Sequence, residues 1–312
     1  MNLIVFPGQG SQKVGMGKEM SDSFTEAKEV FEEVNEAIGF NLSKLMWEGS
    51  DTDIALTSNA QPALMACGVA VYRVLSKLSN KKLPELASYV CGHSLGEYTA
   101  MTVAGVFSLK ECAKLLRLRG EAMQQAVPVN KGAMAAFIGV DITTSLKILE
   151  QVSSIGVCNI GNDNADGQVV ISGDILAVNK AIEISKDFGV KRAVVLPVSA
   201  PFHCSLMQPA QMIMEKALNN LNFNIPTVPV ISNINALPEK EITKLKQNLI
   251  DQVTGTVRWR ETMHLANKLN IDKVIELGNG KVLTGIAKRM LKDANAINLE
   301  KPSDFDELLK VI

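Results

Sequence analysis

Long hydrophobic runs are missing from this 312-residue chain. Its most apolar uncharged stretches, Ala63–Tyr72 and Tyr98–Leu109, stop well short of the ~20 residues that cross a bilayer, so no membrane association is expected. An excess of charge of either sign is missing too: 32 Lys plus Arg stand against 33 Asp plus Glu, a net charge of −1. That balance excludes the broad basic footprint of a dedicated nucleic-acid binder. The five cysteines, at 67, 91, 112, 158 and 204, are scattered, odd in number and free of any CxxC spacing. They argue for a reducing compartment and against structural zinc, and neither metal nor cofactor is expected. Met1-Asn2-Leu3-Ile4-Val5-Phe6 runs directly into Pro7-Gly8 with no basic n-region, so a signal peptide is not expected and a cytoplasmic location is.

What is present is ordinary globular composition, 46% apolar and 21% charged. A chain of this length forms one large or two moderate domains and buries roughly 75% of its unfolded surface. Short β-branched runs alternate with longer amphipathic stretches, the pattern of helices on a mainly parallel sheet. Strands are expected at Leu3–Phe6 and Ser88–Gly92, and helices at Lys18–Ala37, Gln61–Leu78 and Ser108–Gln125. Ser108 and Glu111 have the spacing of a capping box. From Val127 the rhythm becomes βαββαβ: strand Ala133–Ile138, helix Ile142–Val152, strands Gly156–Ile160 and Gln168–Ser172, helix Ile175–Phe188, strand Lys191–Leu196. This is the order of a ferredoxin-like split βαβ unit, here expected as a small domain over 127–197 inserted into a larger α/β domain of 1–126 and 198–312. Helix His203–Leu221, strand Val228–Ile231, two helices up to Asn270, strand Lys273–Glu276 and a helix from Gly280 complete the chain.

Gly92-His93-Ser94-Leu95-Gly96 fits the G-x-S-x-G nucleophile elbow, with the strand before and helix after that the motif requires. Ser94 is therefore the candidate nucleophile. The amide of Leu95, at a helix N-terminus, is half of an oxyanion hole. A serine hydroxyl needs a base, and only three histidines exist. His93 adjoins the serine on a tight turn and points elsewhere; His264 lies on a polar-flanked helix. His203 follows Pro201, which restrains the backbone just ahead of a helix, and is the favoured base, the alternative being a helix-start histidine satisfied by backbone. Its neighbour Cys204 reads as a small packed residue.

Arg117 and Arg119 point about 200° apart on their helix. Arg117 has Glu121 as an i,i+4 partner, whereas Arg119 is flanked by Leu115, Leu116, Ala122 and Met123. A guanidinium in an apolar stripe is costly unless paired, so Arg119 meets either an internal partner from elsewhere or an anionic ligand. Gly8-Gln9-Gly10-Ser11 and Gly278-Asn279-Gly280-Lys281 fail the phosphate-loop patterns, and the first is better suited to bring the Gln9 amide beside the elbow. Asp141, Asp163, Asp166, Asp174 and Asp187 all lie in the proposed insert, mostly at caps and turns. None makes a persuasive triad acid, which leaves a Ser-His dyad with its imidazole oriented by a carbonyl.

The set Phe6-Pro-Gly-Gln-Gly-Ser-Gln12, Gly92-His-Ser-Leu-Gly-Glu97, Arg119 at 25 residues past the serine, Gly167-Gln-Val-Val-Ile-Ser-Gly173, Pro201-Phe-His203 and Gly278-x-Gly-Lys-Val-Leu283 resembles the malonyl-CoA:acyl-carrier-protein transacylases, acyltransferases of fatty acid and polyketide synthesis, over essentially the whole chain. The resemblance implies an α/β-hydrolase-like large domain with a ferredoxin-like insertion. It implies Ser94 as the acylated nucleophile, His203 as base, Arg119 as binder of the malonyl carboxylate, Gln9 and Leu95 as oxyanion donors, and Gln252 as the carbonyl that orients His203. Phe202 resembles the malonyl-selective pattern. Gly255-Thr256 stands where Asn-Pro is usual, and Asn279 where proline is common. Malonyl-CoA and acyl carrier protein are the implied partners. The carrier is acidic, so Lys191 and Arg192 are docking candidates, and the protein is expected to act as a monomer. Rival readings are a serine esterase or thioesterase, an acyltransferase for another acyl-CoA, and a non-enzymatic carrier-docking module.

Overall fold

The structure is a computed structural model that describes residues 1–198 and 200–310. Among these residues ten strands, β1 (Asn2–Phe6), β2 (Tyr89–Gly92), β3 (Gly132–Ile138), β4 (Cys158–Ala165), β5 (Gln168–Asp174), β6 (Arg192–Val195), β7 (Val230–Ile231), β8 (Pro238–Glu239), β9 (Lys273–Leu277) and β10 (Asn295–Leu299), form two sheets. The larger has the order β10-β9-β1-β2-β7-β8, parallel except for the terminal β7–β8 pair. The smaller has the order β4-β5-β3-β6 and is antiparallel throughout.

Successive side chains of β1 face opposite ways, and both faces are dry. Ile4 and Phe6 enter the main core with the helices Thr57–Ser79, Leu95–Val103 and Leu109–Gln125, while Leu3 and Val5 enter a second core with Trp259, Met263 and Ile286. This two-sided burial is what a parallel sheet covered by helices requires. The small sheet has two different faces. Ala135, Phe137, Val169 and Ile171 pack on the helices Ile142–Val152 and Ile175–Ile184, whereas Met134, Ala136 and Val170 turn toward the main core.

Several expected boundaries shift for identifiable reasons. The first helix is two, Lys18–Ser23 and Thr25–Ile38, broken at the extended Phe24, whose ring lies 5.9 Å from that of Phe305. The helix expected to start at Gln61 starts at Thr57 and runs through Pro62. The Ser58 carbonyl, which an amide at position 62 would have engaged, accepts instead from Arg117 Nη1 at 3.2 Å. The helix expected from His203 begins only at Gln208, after a 3-10 turn at Ser205–Met207, because His203 has a φ of 60°. Strand Gly156–Ile160 is displaced to Cys158–Ala165, and the helix to Phe188 tightens into a 3-10 turn after Ile184. Ser108 does cap its helix reciprocally: Glu111 N–H donates to Ser108 Oγ at 3.2 Å, and Ser108 N–H to Glu111 Oε2 at 2.7 Å.

The elbow depends on two glycines. A Cβ at Gly92 would lie 2.0 Å from the Gly96 carbonyl, and one at Gly96 would lie 2.3 Å from the Phe6 carbonyl. Both obstacles are backbone, which yields only if strand and helix separate. Gly96→Ala is expected to destabilise the fold by about 1–3 kcal/mol through overpacking. Gly285→Ala, in the helix Val282–Met290 with nothing within 4 Å of its new methyl, is expected to stabilise by roughly 0.5–1 kcal/mol. Urea midpoints of the two variants measure the contrast, and equal shifts would contradict it.

Candidate active site

Ser94 ends the turn after β2 at a φ of 53°, in the left-handed region that side chains other than glycine rarely enter. Asn233, from the loop after β7, holds this turn from both sides. Its Oδ1 accepts the Ser94 N–H at 2.7 Å, and its Nδ2 donates to the Gly92 carbonyl at 2.7 Å. The turn leads into the helix Leu95–Val103 with Ser94 as its N-cap residue, so the Leu95 amide belongs to the first turn, where no intrahelical acceptor exists.

His203 approaches from 109 residues further along the chain, likewise in the left-handed region and only 3% exposed. Its Nε2 lies 2.8 Å from Ser94 Oγ and its Nδ1 2.9 Å from the Gln252 carbonyl. A carbonyl only accepts, so Nδ1 carries the proton and Nε2 is left with the lone pair that faces the serine hydroxyl. Burial, reinforced by the nearby Arg119 charge, holds this imidazole down to about 3, so it is neutral throughout the physiological range.

Arg119 is 1% exposed. Its Nη1 donates to Gln61 Oε1 at 2.8 Å, and its Nη2 to Gln252 Oε1 at 2.9 Å and to Ser94 Oγ at 3.2 Å. The guanidinium carbon lies 5.4 Å from the centre of the Tyr98 ring. No carboxylate pairs with it directly among the described residues; Glu97 contributes a nearby negative charge. Arg117, by contrast, pairs with Glu121 at 2.6 Å and reaches Asn59.

These groups border a cleft of about 230 Å³, lined by Gln9, Ser94, Arg119, Phe202 and His203 together with Met134 and Val170 of the small sheet and Leu196 just beyond it. Gln9 follows β1, and its side chain donates to Thr57 Oγ1 at 3.2 Å. Asn279 Nδ2 donates to the Ser11 carbonyl and so ties down the same loop. At the other departure from the usual pattern, Thr256 Oγ1 bonds the Ile160 carbonyl at 2.7 Å, and the Gln252 carbonyl keeps its contact with His203.

Of the residues singled out from sequence, Ser94, His203, Arg119 and Gln252 thus form one connected group. Lys191 and Arg192 do not join it. Both are exposed, and Arg192 is four residues of extended strand, about 13 Å, from Leu196 at the cleft. His93 bonds Asn164 at 2.8 Å and Asn162 at 3.3 Å, and the exposed His264 meets Asp166 at 3.3 Å. Asp163 pairs with Arg260, Asp141 caps a helix and Asp174 accepts the Val157 amide, so none of these serves His203. Cys204 is buried, its thiol 3.1 Å from the Pro201 carbonyl.

Sequence reasoning missed Gln61, Asn233 and Glu97. Glu97 is fully buried, with Oε2 accepting from the Asn233 amide at 3.1 Å and from Gln252 Nε2 at 2.7 Å. Burial pushes its carboxyl up to about 7. Its place at the end of the Gly92–Glu97 motif was visible, but an acid in a helix's first turn ordinarily reads as a solvated complement to the dipole.

Comparison with known proteins places this geometry among relatives. The chain is 40% identical to the malonyl CoA-acyl carrier protein transacylase of Haemophilus influenzae, over 97% of this chain and 96% of that one. It is 38% identical to the protein of the same name from Bacillus subtilis, covering 99% and 96% of the two chains. The crystal structure of an acyl-carrier-protein-S-malonyltransferase from Bartonella henselae superimposes with a TM-score of 0.97 at 47% identity, covering 99% and 98%. A malonyl-transacylase in complex with its type II polyketide-synthase acyl-carrier protein gives 0.95 at 35% identity, covering 99% of each chain. The family model of the acyl transferase domain matches residues 3–301, from the first strand to just past the last, and the chain is a member of the acyl transferase family.

Proposed function

We propose that the protein transfers the malonyl group from malonyl-CoA to the phosphopantetheine thiol of acyl carrier protein through a malonyl-Ser94 ester, and so supplies fatty acid biosynthesis. The observation that carries this reading is the buried Arg119 guanidinium 3.2 Å from the Ser94 hydroxyl. A fixed cation next to the nucleophile suits an acyl group that ends in a carboxylate. A simple esterase has no use for it. The names of the full-length relatives agree with this substrate and this acceptor.

The chemistry follows from the geometry. His203 Nε2 takes the proton of Ser94 as Oγ attacks the thioester carbonyl, and the Gln252 carbonyl steadies the imidazolium that forms. The amides of Gln9 and Leu95 stabilise the tetrahedral oxyanion, where loss of one donor typically costs ~2.7–4 kcal/mol of barrier. The intermediate collapses, His203 protonates the departing CoA thiolate, and a malonyl-serine ester remains. The carrier thiol then enters, gives its proton to His203 and attacks the ester, restoring Ser94 in a ping-pong cycle. Arg119 grips the malonyl carboxylate during both halves, and an acyl group without one leaves that charge uncompensated.

The βαββαβ order and the antiparallel β4-β5-β3-β6 sheet support reading 127–197 as a ferredoxin-like insert in an α/β-hydrolase-like domain of 1–126 and 198–312, of which 199, 311 and 312 lie outside the described residues. Lys191 and Arg192 remain proposed as carrier contacts at the outer end of the insert. The protein is proposed to act as a monomer in the cytoplasm.

Incubation with malonyl-CoA is expected to add the mass of one malonyl group, an adduct absent from Ser94→Ala. A folded wild-type protein that stays unmodified would falsify the covalent route. Arg119→Ala is expected to slow malonyl-serine formation by about 100-fold or more, the equivalent of two charge-assisted hydrogen bonds, and acetyl-serine formation far less. Equal losses for the two acyl groups would count against the clamp. Because His203 is held down to about 3, its basic form persists as the pH falls below the ordinary histidine value of 6.5. Single-turnover acylation is therefore expected to keep its base well below pH 6.5 and to lose it only as the pH nears about 3, and a midpoint near 6.5 in protein still folded by circular dichroism would refute this.

A further inference from the structure

Glu97 has no part in the steps above, yet it touches both residues on which their geometry depends. Through Oε2 it meets Asn233, which holds the Ser94 turn, and Gln252, which meets both His203 and Arg119. A carboxamide has one accepting end and one donating end. Gln252 Nε2 faces three acceptors, Glu97 Oε2 at 2.7 Å, the Ser94 carbonyl at 3.0 Å and Asn233 Oδ1 at 3.4 Å, and this leaves Oε1 for Arg119 Nη2 at 2.9 Å. Reversing the amide would set oxygen against three oxygens and an NH2 group against a guanidinium, and Glu97, the nearest of the three acceptors, is the one whose side chain lies directly behind the end that Arg119 sees.

Resting on the malonyl-transfer reading, we propose that Glu97 is a positioning residue: as a buried hydrogen-bond acceptor it fixes the Gln252 carboxamide, and through it aims Arg119 at the acyl carboxylate beside Ser94. The acceptor, rather than the charge, carries this role. Oε1 of Glu97 is buried with no hydrogen-bond partner among the described residues, so a proton added there leaves the Oε2 contacts in place. Glutamine at this position offers the same carbonyl acceptor. Methionine fills a similar volume without it.

The test measures single-turnover acylation of Ser94 by malonyl-CoA and by acetyl-CoA, with thermal melts to confirm folding. Variants are Glu97→Gln, Glu97→Met, Gln252→Met and the Glu97→Met/Gln252→Met pair. Glu97→Met and Gln252→Met are each expected to lower malonyl kcat/KM by about tenfold or more, the worth of one charge-assisted hydrogen bond, and to lower acetyl kcat/KM less. The double variant is expected to be no worse than Gln252→Met alone, and Glu97→Gln to restore most of the rate that methionine loses. Additive losses, unchanged malonyl preference in Gln252→Met, or Glu97→Gln as impaired as Glu97→Met would each overturn the proposal. If Glu97→Met does not fold, the malonyl preference of Gln252→Met decides. A wild-type protein that forms no malonyl adduct would remove the underlying reading; a normal adduct with any of the overturning results removes only the role of Glu97.

Discussion

A guanidinium that is 1% exposed has lost almost all its water, and the loss has to be offset by oriented dipoles, a nearby negative charge or a ligand. Around Arg119 the chain supplies the first two in part. Gln61 and Gln252 turn their carbonyl oxygens toward it, the Tyr98 ring lies against it, and Glu97 stands behind Gln252. Four helices meet there: the long helix carrying Gln61, the elbow helix carrying Glu97 and Tyr98, the next helix carrying Arg119 itself, and the end of the helix carrying Gln252. Compensation by neutral amides is incomplete, with Arg119 Nε lacking a partner among the described residues, which leaves the cation receptive to an anion.

The Ser94–His203 pair is held in a second costly state. Ser94 and His203 both occupy left-handed backbone conformations, each worth about 1–3 kcal/mol of strain for a residue with a side chain. The cost is met locally. Two hydrogen bonds from Asn233 span the Ser94 turn, the Gly92–Gly96 approach leaves no room for it to relax, and the Gln252 carbonyl holds the imidazole. Strain there is spent on direction: one residue projects from the sheet's carboxyl edge, the other returns to meet it at 2.8 Å.

What the sequence disclosed was whatever announces itself over a few residues. A serine between two glycines after a β-branched run, a histidine after proline and an arginine inside an apolar stripe each violate a local norm, and all three line the cleft. The βαββαβ rhythm was legible because amphipathic helices and short strands there follow one another with little interruption. Gln61, Asn233 and Glu97 violate nothing locally; their importance arises from contacts 58 to 155 residues away. The helix starts at 57 and 208 were misread for a related reason. Pro62 is tolerated because an arginine from another helix takes over the Ser58 carbonyl, and His203 is held out of its helix by the distant Gln252. Strands β8 and β10 escaped notice as well, one only two residues long and the other carrying asparagine at two of five positions.

The place of β1 in the large sheet has a bearing on how the chain comes into being. Its neighbours are β2 and β9, with Asn2 in register with Lys273 and Leu3 with Tyr89. On a ribosome, β1 emerges long before β9, about 270 residues further along, and waits for that strand before its second edge is covered. The small sheet has little such delay, since all its strand-to-strand pairings fall within 132–195 and only a single bridge, Asn162 to Val257, waits for later chain. Synthesis therefore completes the roof of the cleft early and its floor late. During that interval the bare edge of β1 offers unpaired backbone to other chains, a hazard inherent in parallel sheets whose central strand is translated long before its neighbour.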